Sequence, residues 1–277
     1  MFSSKSILID HVLNDLEERH LRLFGADSRD LAGHIRTGGL MAMEVLANSN
    51  ALYHNLEHSL MVTLVGQEIL HGKYLMEGSV DADEWVHFII SLLCHDIGYV
   101  RGICPGDGGD IAVIDAEGRT VEIPEGATDA YLTPHHIERG KLFVRWRFRD
   151  HPVIDPEVVA HNIEKTRFPV PDGTDAAEDT TAPGLVRAAD LIGQMADPDY
   201  LRKLAALFYE FDETGANHEV GAASPEDLRR NYPDFFWRTV NRHIQPAIGY
   251  LEATREGRQW VASLHSHVFS EQHRAAL

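Results

Sequence analysis

Cysteine is scarce in this chain: 277 residues include two, Cys94 and Cys104. One pair is no disulfide framework, which excludes a small stapled scaffold and suits a reducing cytoplasm. Long apolar runs are missing as well. The longest, Trp85 to Cys94, contains His87 and falls well short of the roughly 20 residues that span a bilayer. The first residues lead straight into an amphipathic pattern with Asp10, Asp15, Glu17 and Glu18, without a secretory apolar region. Positive charge is the third shortage. Against 43 Asp and Glu there are 25 Lys and Arg, a formal net charge of −18. Neither a membrane nor a long nucleic acid held through its phosphates is therefore an expected partner. A small phosphate ester is not excluded, because bound cations reverse the field locally. There is no internal repeat and no low-complexity tract. Hydrophobic residues make up 44% and charged residues 25%, the composition of one domain with a sizeable core.

Helical periodicity dominates what is present. Ile7, Leu8, Val12, Leu13, Leu16 and Leu21 mark a helix over 5–24. Asp27 or Ser28 is placed to cap a second helix with Leu31, Ile35, Leu40 and Met43; Asn48-Ser49-Asn50 then reads as a break. A third helix is expected over 55–77. Asp81 or Asp83 is placed to cap a fourth through His95, apolar all round and so buried on all sides. Glycines 102, 106, 108 and 109 and Pro105 interrupt the pattern. Ile111–Ile114 and Thr120–Ile123 flank Asp115–Arg119 as a small β-hairpin, an insertion over about 102–130 that serves as a lid or as a surface ornament. Helices resume at about 134–148, 155–166, 181–212, 225–253 and 255–272, with a loop at 168–174.

Histidine is plentiful, at seventeen. Most, such as His11, His20, His34 and His71, sit among charged residues and read as solvated surface groups. Two strings differ: Tyr53-His54-Asn55-Leu56-Glu57-His58 and Cys94-His95-Asp96-Ile97-Gly98-Tyr99. An adjacent His-Asp pair ending an apolar stretch is hard to account for by packing, because a buried unpaired carboxylate is expensive and a metal is one of the few partners that makes it tolerable. Imidazole nitrogens and carboxylate oxygens are the donors that a divalent transition metal takes. Downstream, Asp190, Gln194 and Asp197 share one helical face, with Asp197 before Pro198 suited to ending the helix. His54, four residues before His58, has the pKa range of a general acid, and Asn55 is suited to cap the following helix.

In order, these strings resemble the HD superfamily of metal-dependent phosphohydrolases, and more closely its class I cyclic nucleotide phosphodiesterase branch. There the first motif reads Tyr-His-Asn-x-x-His and the second begins His-Asp. The resemblance covers about residues 50–205. It implies an all-α HD-domain helical bundle with a small β-hairpin insertion after the His-Asp motif, forming a single domain over 1–277 with C-terminal helices at about 225–272. It implies His58, His95, Asp96 and Asp190 as ligands of one divalent ion, with Asp96 bridging to a second. A metal-bound hydroxide attacks phosphorus, and His54 protonates the leaving oxygen. Leu132-Thr133-Pro134-His135-His136-Ile137 resembles the branch's Leu-Glu-Asn-His-His-Leu, with Thr133 in place of Glu. That makes His136 a contact to a metal-bound water or phosphate. In HD proteins with extra histidines, His136 and His161 are direct ligands instead.

Two further positions depart from the branch: Arg167 stands where it has an acid, suited to phosphate, and Tyr99 where it has a second His. Asn55, Tyr99, Arg167 and Gln194 are the candidate substrate contacts; Lys73, Arg101 and Lys141 are further cations to consider. The family's purine-binding Gln and aromatic pair have no evident counterpart, although Phe208, Tyr209, Phe235, Phe236 and Trp237 are available. The expected activity is a phosphohydrolase using two ions among Zn, Mn, Fe, Ni and Mg on a small phosphorylated substrate, a nucleotide or cyclic nucleotide. A homodimer is compatible with this. The alternatives are an HD nucleotidase acting on monophosphates, a non-catalytic metal- or nucleotide-binding regulator, and an HD oxygenase.

Overall fold

The computed structural model describes residues 3–170 and 176–275; the end of the expected 168–174 loop lies outside them. Ser3 opens α1 (Ser4–Phe24) with a capping box, and α2 (Arg29–Leu46) returns along it. Ser28 precedes α2, but its hydroxyl bonds the Gly25 carbonyl, so the expected cap is not made. α3 (Leu56–Glu77) and α4 (Ala82–Cys94) follow, capped by Asn55 and Asp81. α4 buries nine of its thirteen residues, as its unbroken apolar sequence requires.

After a single 3₁₀ turn at Ile97–Tyr99 comes a two-stranded antiparallel hairpin, β1 (Ile111–Val113) and β2 (Thr120–Glu122), with Ala112 opposite Val121. A long 3₁₀ segment, Asp129–His135, leads into α5 (His136–Arg147) and α6 (Pro156–Glu164). The expected helix 181–212 is two: α7 (Ala182–Met195) and α8 (Tyr200–Thr214). The chain turns between them at Asp197-Pro198, where the missing amide hydrogen of proline stops a helix. A short α9 (Ala216–Glu219) precedes α10 (Pro225–Phe235), a π-helical turn, α11 (Asn241–Leu251) and α12 (Arg255–Ala275). The fold is all-α with one small hairpin. No helix among the described residues is long and apolar enough to cross a membrane.

One apolar cluster runs from Ile9 to Val268, with α3, α4 and α7 inside it. Two close approaches set the relative positions of its parts. A Cβ on Gly193 would lie 2.7 Å from Val62 Cα, so only glycine lets α7 lie this close on α3. A Cβ on Gly98 would lie 1.9 Å from the His136 carbonyl oxygen, so the turn after α4 is seated on the start of α5.

The hairpin insertion is anchored, not hinged. Arg139 is fully buried. It donates to the carbonyls of Gly98, Val100 and Val113 and to both oxygens of Asp107, at 2.9 and 3.1 Å. One guanidinium thus ties the insertion to the turn after α4. His20 overturns the expectation of a solvated histidine: it is fully buried beside Phe24, and neither ring nitrogen has a hydrogen-bond partner among the described residues. Its position in α1 falls on the inward stripe of Val12, Leu13 and Leu16.

Candidate metal centre

The first elements of the site are helix ends. Asn55 Oδ1 accepts from the Glu57 amide at 3.0 Å, and its Nδ2 donates to the Leu52 carbonyl. The expected substrate contact is thus a cap, both ends of its amide engaged in its own loop. This fixes the first turn of α3, from which His58 points inward beside Tyr53. At the end of α4, His95 Nδ1 donates to the Leu92 carbonyl at 2.7 Å, which leaves its Nε2 as the lone-pair nitrogen. Asp96 follows directly. Asp190 comes from α7, three residues before Gly193 at the close approach.

These four side chains converge. His58 Nε2 and His95 Nε2 are 3.4 Å apart, and Asp96 Oδ2 is 3.2 Å from each. Asp190 Oδ1 is 3.4 Å from His58 Nε2 and 3.6 Å from His95 Nε2. Atoms that share an ion at about 2.1 Å stand about 3.0–3.4 Å apart in octahedral or tetrahedral arrangements, so the spacing fits one cation. Asp96 Oδ2 is buried without a hydrogen-bond partner among the described residues, and His58, His95 and Asp190 form a group able to hold a metal. The electrostatics agree. Burial alone pushes the carboxyl of Asp190 up, but His58 and His95 hold it down at about 2. Asp96 is likewise opposed by burial yet held well below the usual range by His95 and His58. Burial pulls His95 down, but Asp96 and Asp190 outweigh it and raise it.

A second position adjoins the first. His136 Nδ1 donates to the Thr133 carbonyl at 2.6 Å, freeing Nε2, which lies 4.0 Å from the other oxygen of Asp96, Oδ1. Burial lowers the pKa of His136 and keeps it neutral, as a ligand must be. Tyr99 lies between the rings of His54 and His136, stacked at 4.7 and 4.5 Å between centroids. Its burial, with the charge of Asp96, raises its pKa and keeps the hydroxyl protonated.

Sequence reading missed Glu210, on α8. Its Oε2 is 2.5 Å from His54 Nδ1, while Oε1 accepts from the amides of Tyr53 at 2.6 Å and His54 at 3.2 Å. Burial would lower the pKa of His54, but Glu210 reverses this and raises it to about 9. The available signal was periodicity: Glu210 lies three residues after Leu207 on the buried stripe of Tyr200, Leu204 and Leu207. The side chains of His54, His136 and Asp190 are 15, 18 and 19% exposed whereas His95 is sealed, so the centre opens on that side.

Other expected contacts are elsewhere. His161 faces solvent from α6, whose inward positions are Val159, Ala160, Asn162 and Ile163. Arg167 is 2.6 Å from both Glu138 and Glu164, in a surface ion-pair network with Lys141. Gln194 is engaged with the Tyr200 hydroxyl. Asp197 ends α7, accepting from the Asp199 amide and pairing with Lys203. Lys73 pairs with Glu77 and Arg101 with Asp129.

The chain matches the sequence model of the Npun_R2479-like family over residues 2–274 and belongs to that family. No curated protein and no solved structure matches it.

Proposed function

We propose that this member of the Npun_R2479-like family is a divalent-metal-dependent phosphohydrolase of the HD type. Its substrate would be a small phosphoester, with nucleotides and cyclic nucleotides the class that the motifs favour. The observation that carries the reading is the meeting of His58, His95, Asp96 and Asp190 at ion-sharing distances, with His54 and Glu210 at the open side. Divalent ions bound there supply a water of lowered pKa and neutralise phosphate charge.

The remaining work falls to the chain. The four ligands hold the first ion, and His136 with Asp96 Oδ1 offers donors to a second. Glu210 occupies His54 Nδ1, so Nε2 is the atom that delivers a proton to the leaving oxygen. Glu210 also fixes the ring through two backbone amides, and Tyr99 keeps the rings of His54 and His136 parallel. Among the described residues, the Lys and Arg side chains considered for phosphate are paired elsewhere, so phosphate charge is met by the ions and His54. Two free, buried cysteines fit a cytoplasmic setting.

The test joins metal content to turnover. Wild-type protein should carry one to two equivalents of metal by mass spectrometry, and Asp96→Ala should lose it. The loaded protein should hydrolyse members of a panel of nucleoside monophosphates, cyclic nucleotides and bis(p-nitrophenyl) phosphate, the products separating a nucleotidase from a phosphodiesterase. His54→Ala should retain metal and lose about 10²–10⁴-fold in turnover. Absence of metal after reconstitution, or a loaded protein inert across the panel, would overturn the reading.

A further inference from the structure

A second concavity lies away from the metal centre. It is a cleft of about 370 Å³ between α1, α3 and α12, lined by Asp15, Arg19, Gln67, Glu68, Glu256 and Trp260 among others. Gln67 is nine residues beyond His58 on α3, about 13 Å along the helix axis, so the two sites share a helix but not their walls.

The polar groups of this cleft are unbalanced toward acceptors. Gln67 is 1% exposed. Its Nε2 donates to Asp15 Oδ2 at 2.7 Å, which settles the orientation of the amide, and its Oε1 is left without a donor among the described residues. Buried acceptors without donors are rare because desolvation is uncompensated. The cation on the wall is already used: Arg19 pairs with Glu68 at 2.6 Å and contacts His71 at 2.8 Å. Asp15 and Glu256 add carboxylates to the lining. Trp260 packs on the core and supplies an aromatic wall. An ordered water would satisfy Gln67 Oε1 but would use neither the indole nor Glu256. An anion is excluded by the surplus of carboxylates.

We propose that this cleft binds a small aliphatic ammonium ion. Its N–H donors go to Gln67 Oε1 and the carboxylates of Asp15 and Glu256, and its carbon chain lies along Trp260, where cation and indole also attract.

The probe is 1,4-diaminobutane, titrated calorimetrically into the full-length, metal-loaded protein at constant ionic strength, with 1,4-butanediol as the neutral match. Saturable binding of the diamine at one site and none of the diol is expected. Glu256→Gln and Trp260→Leu, both on partly or fully exposed positions of α12, should each weaken it about three- to tenfold. The proposal is overturned if the diamine does not saturate at millimolar concentration, if the diol binds equally, or if both variants bind like wild type. Phosphoester turnover plays no part in this readout, so the result stands apart from the fate of the hydrolase reading.

Discussion

Buried carboxylates need a reason, and those of this chain have different ones. Asp96 and Asp190 face imidazole nitrogens around one point, whereas Glu210 faces His54 and two backbone amides. Glu210 is thus a positioning residue. Glu210→Gln should keep the metal and the Michaelis constant and lower turnover about ten- to a hundredfold, while His54→Ala with Glu210→Gln should be no worse than His54→Ala alone. Steady-state kinetics beside metal analysis tests this. His20 carries a different burden. Burial lowers its pKa from 6.5 to about 4, against a small opposing pull from Asp83. Between those values the unfolded chain takes up a proton that the folded chain refuses, so stability falls as pH drops from about 6.5 toward 4, by on the order of 2 kcal/mol. Urea unfolding at neutral and mildly acid pH should show a flatter dependence for His20→Leu than for wild type across this window.

At the scale of elements, the site depends on how closely pieces of backbone approach. Gly98 seats the turn after α4 on α5 and thereby sets Asp96 against His136. Gly98→Ala drives a methyl into the His136 carbonyl and should destabilise the fold by about 1–3 kcal/mol, lowering the melting temperature by several degrees. Any second equivalent of metal should be lost before the first. Arg139 does for the insertion what Gly98 does for the turn, by charge instead of by space. Arg139→Met would strand Asp107 and three carbonyls, a loss of about 3–5 kcal/mol for a broken buried pair. Limited proteolysis should then cut within 102–128, where the wild type resists.

For the whole molecule, an acidic chain that gathers carboxylates inside is completed by cations. Divalent metal that binds only the folded state should raise stability by about 2.7 kcal/mol at a hundred times its dissociation constant, and a chelator should reverse this; thermal melts with and without metal measure it. Much of this molecule was legible in the sequence. Period and capping residues outlined the helices, and glycine and alternation outlined the hairpin. His58, His95, Asp96 and Asp190 stood out because polar side chains in apolar helices are costly to bury unless something binds them. What sequence spacing could not carry was phase and distance. It did not tell that α6 turns Asn162 inward and His161 outward, that Glu138 and Glu164 engage Arg167, or that Asn55 spends its amide on its own loop. Nor did it reveal Glu210, 156 residues from His54. The amino-acid order by itself determined which segments become helices and which side chains are costly to bury alone, because those follow from local backbone preference and desolvation. Only the tertiary structure decided which of those side chains meet, because a hydrogen bond or an ion-sharing distance depends on packing to within a fraction of an ångström, and that is set by contacts between segments far apart in the chain.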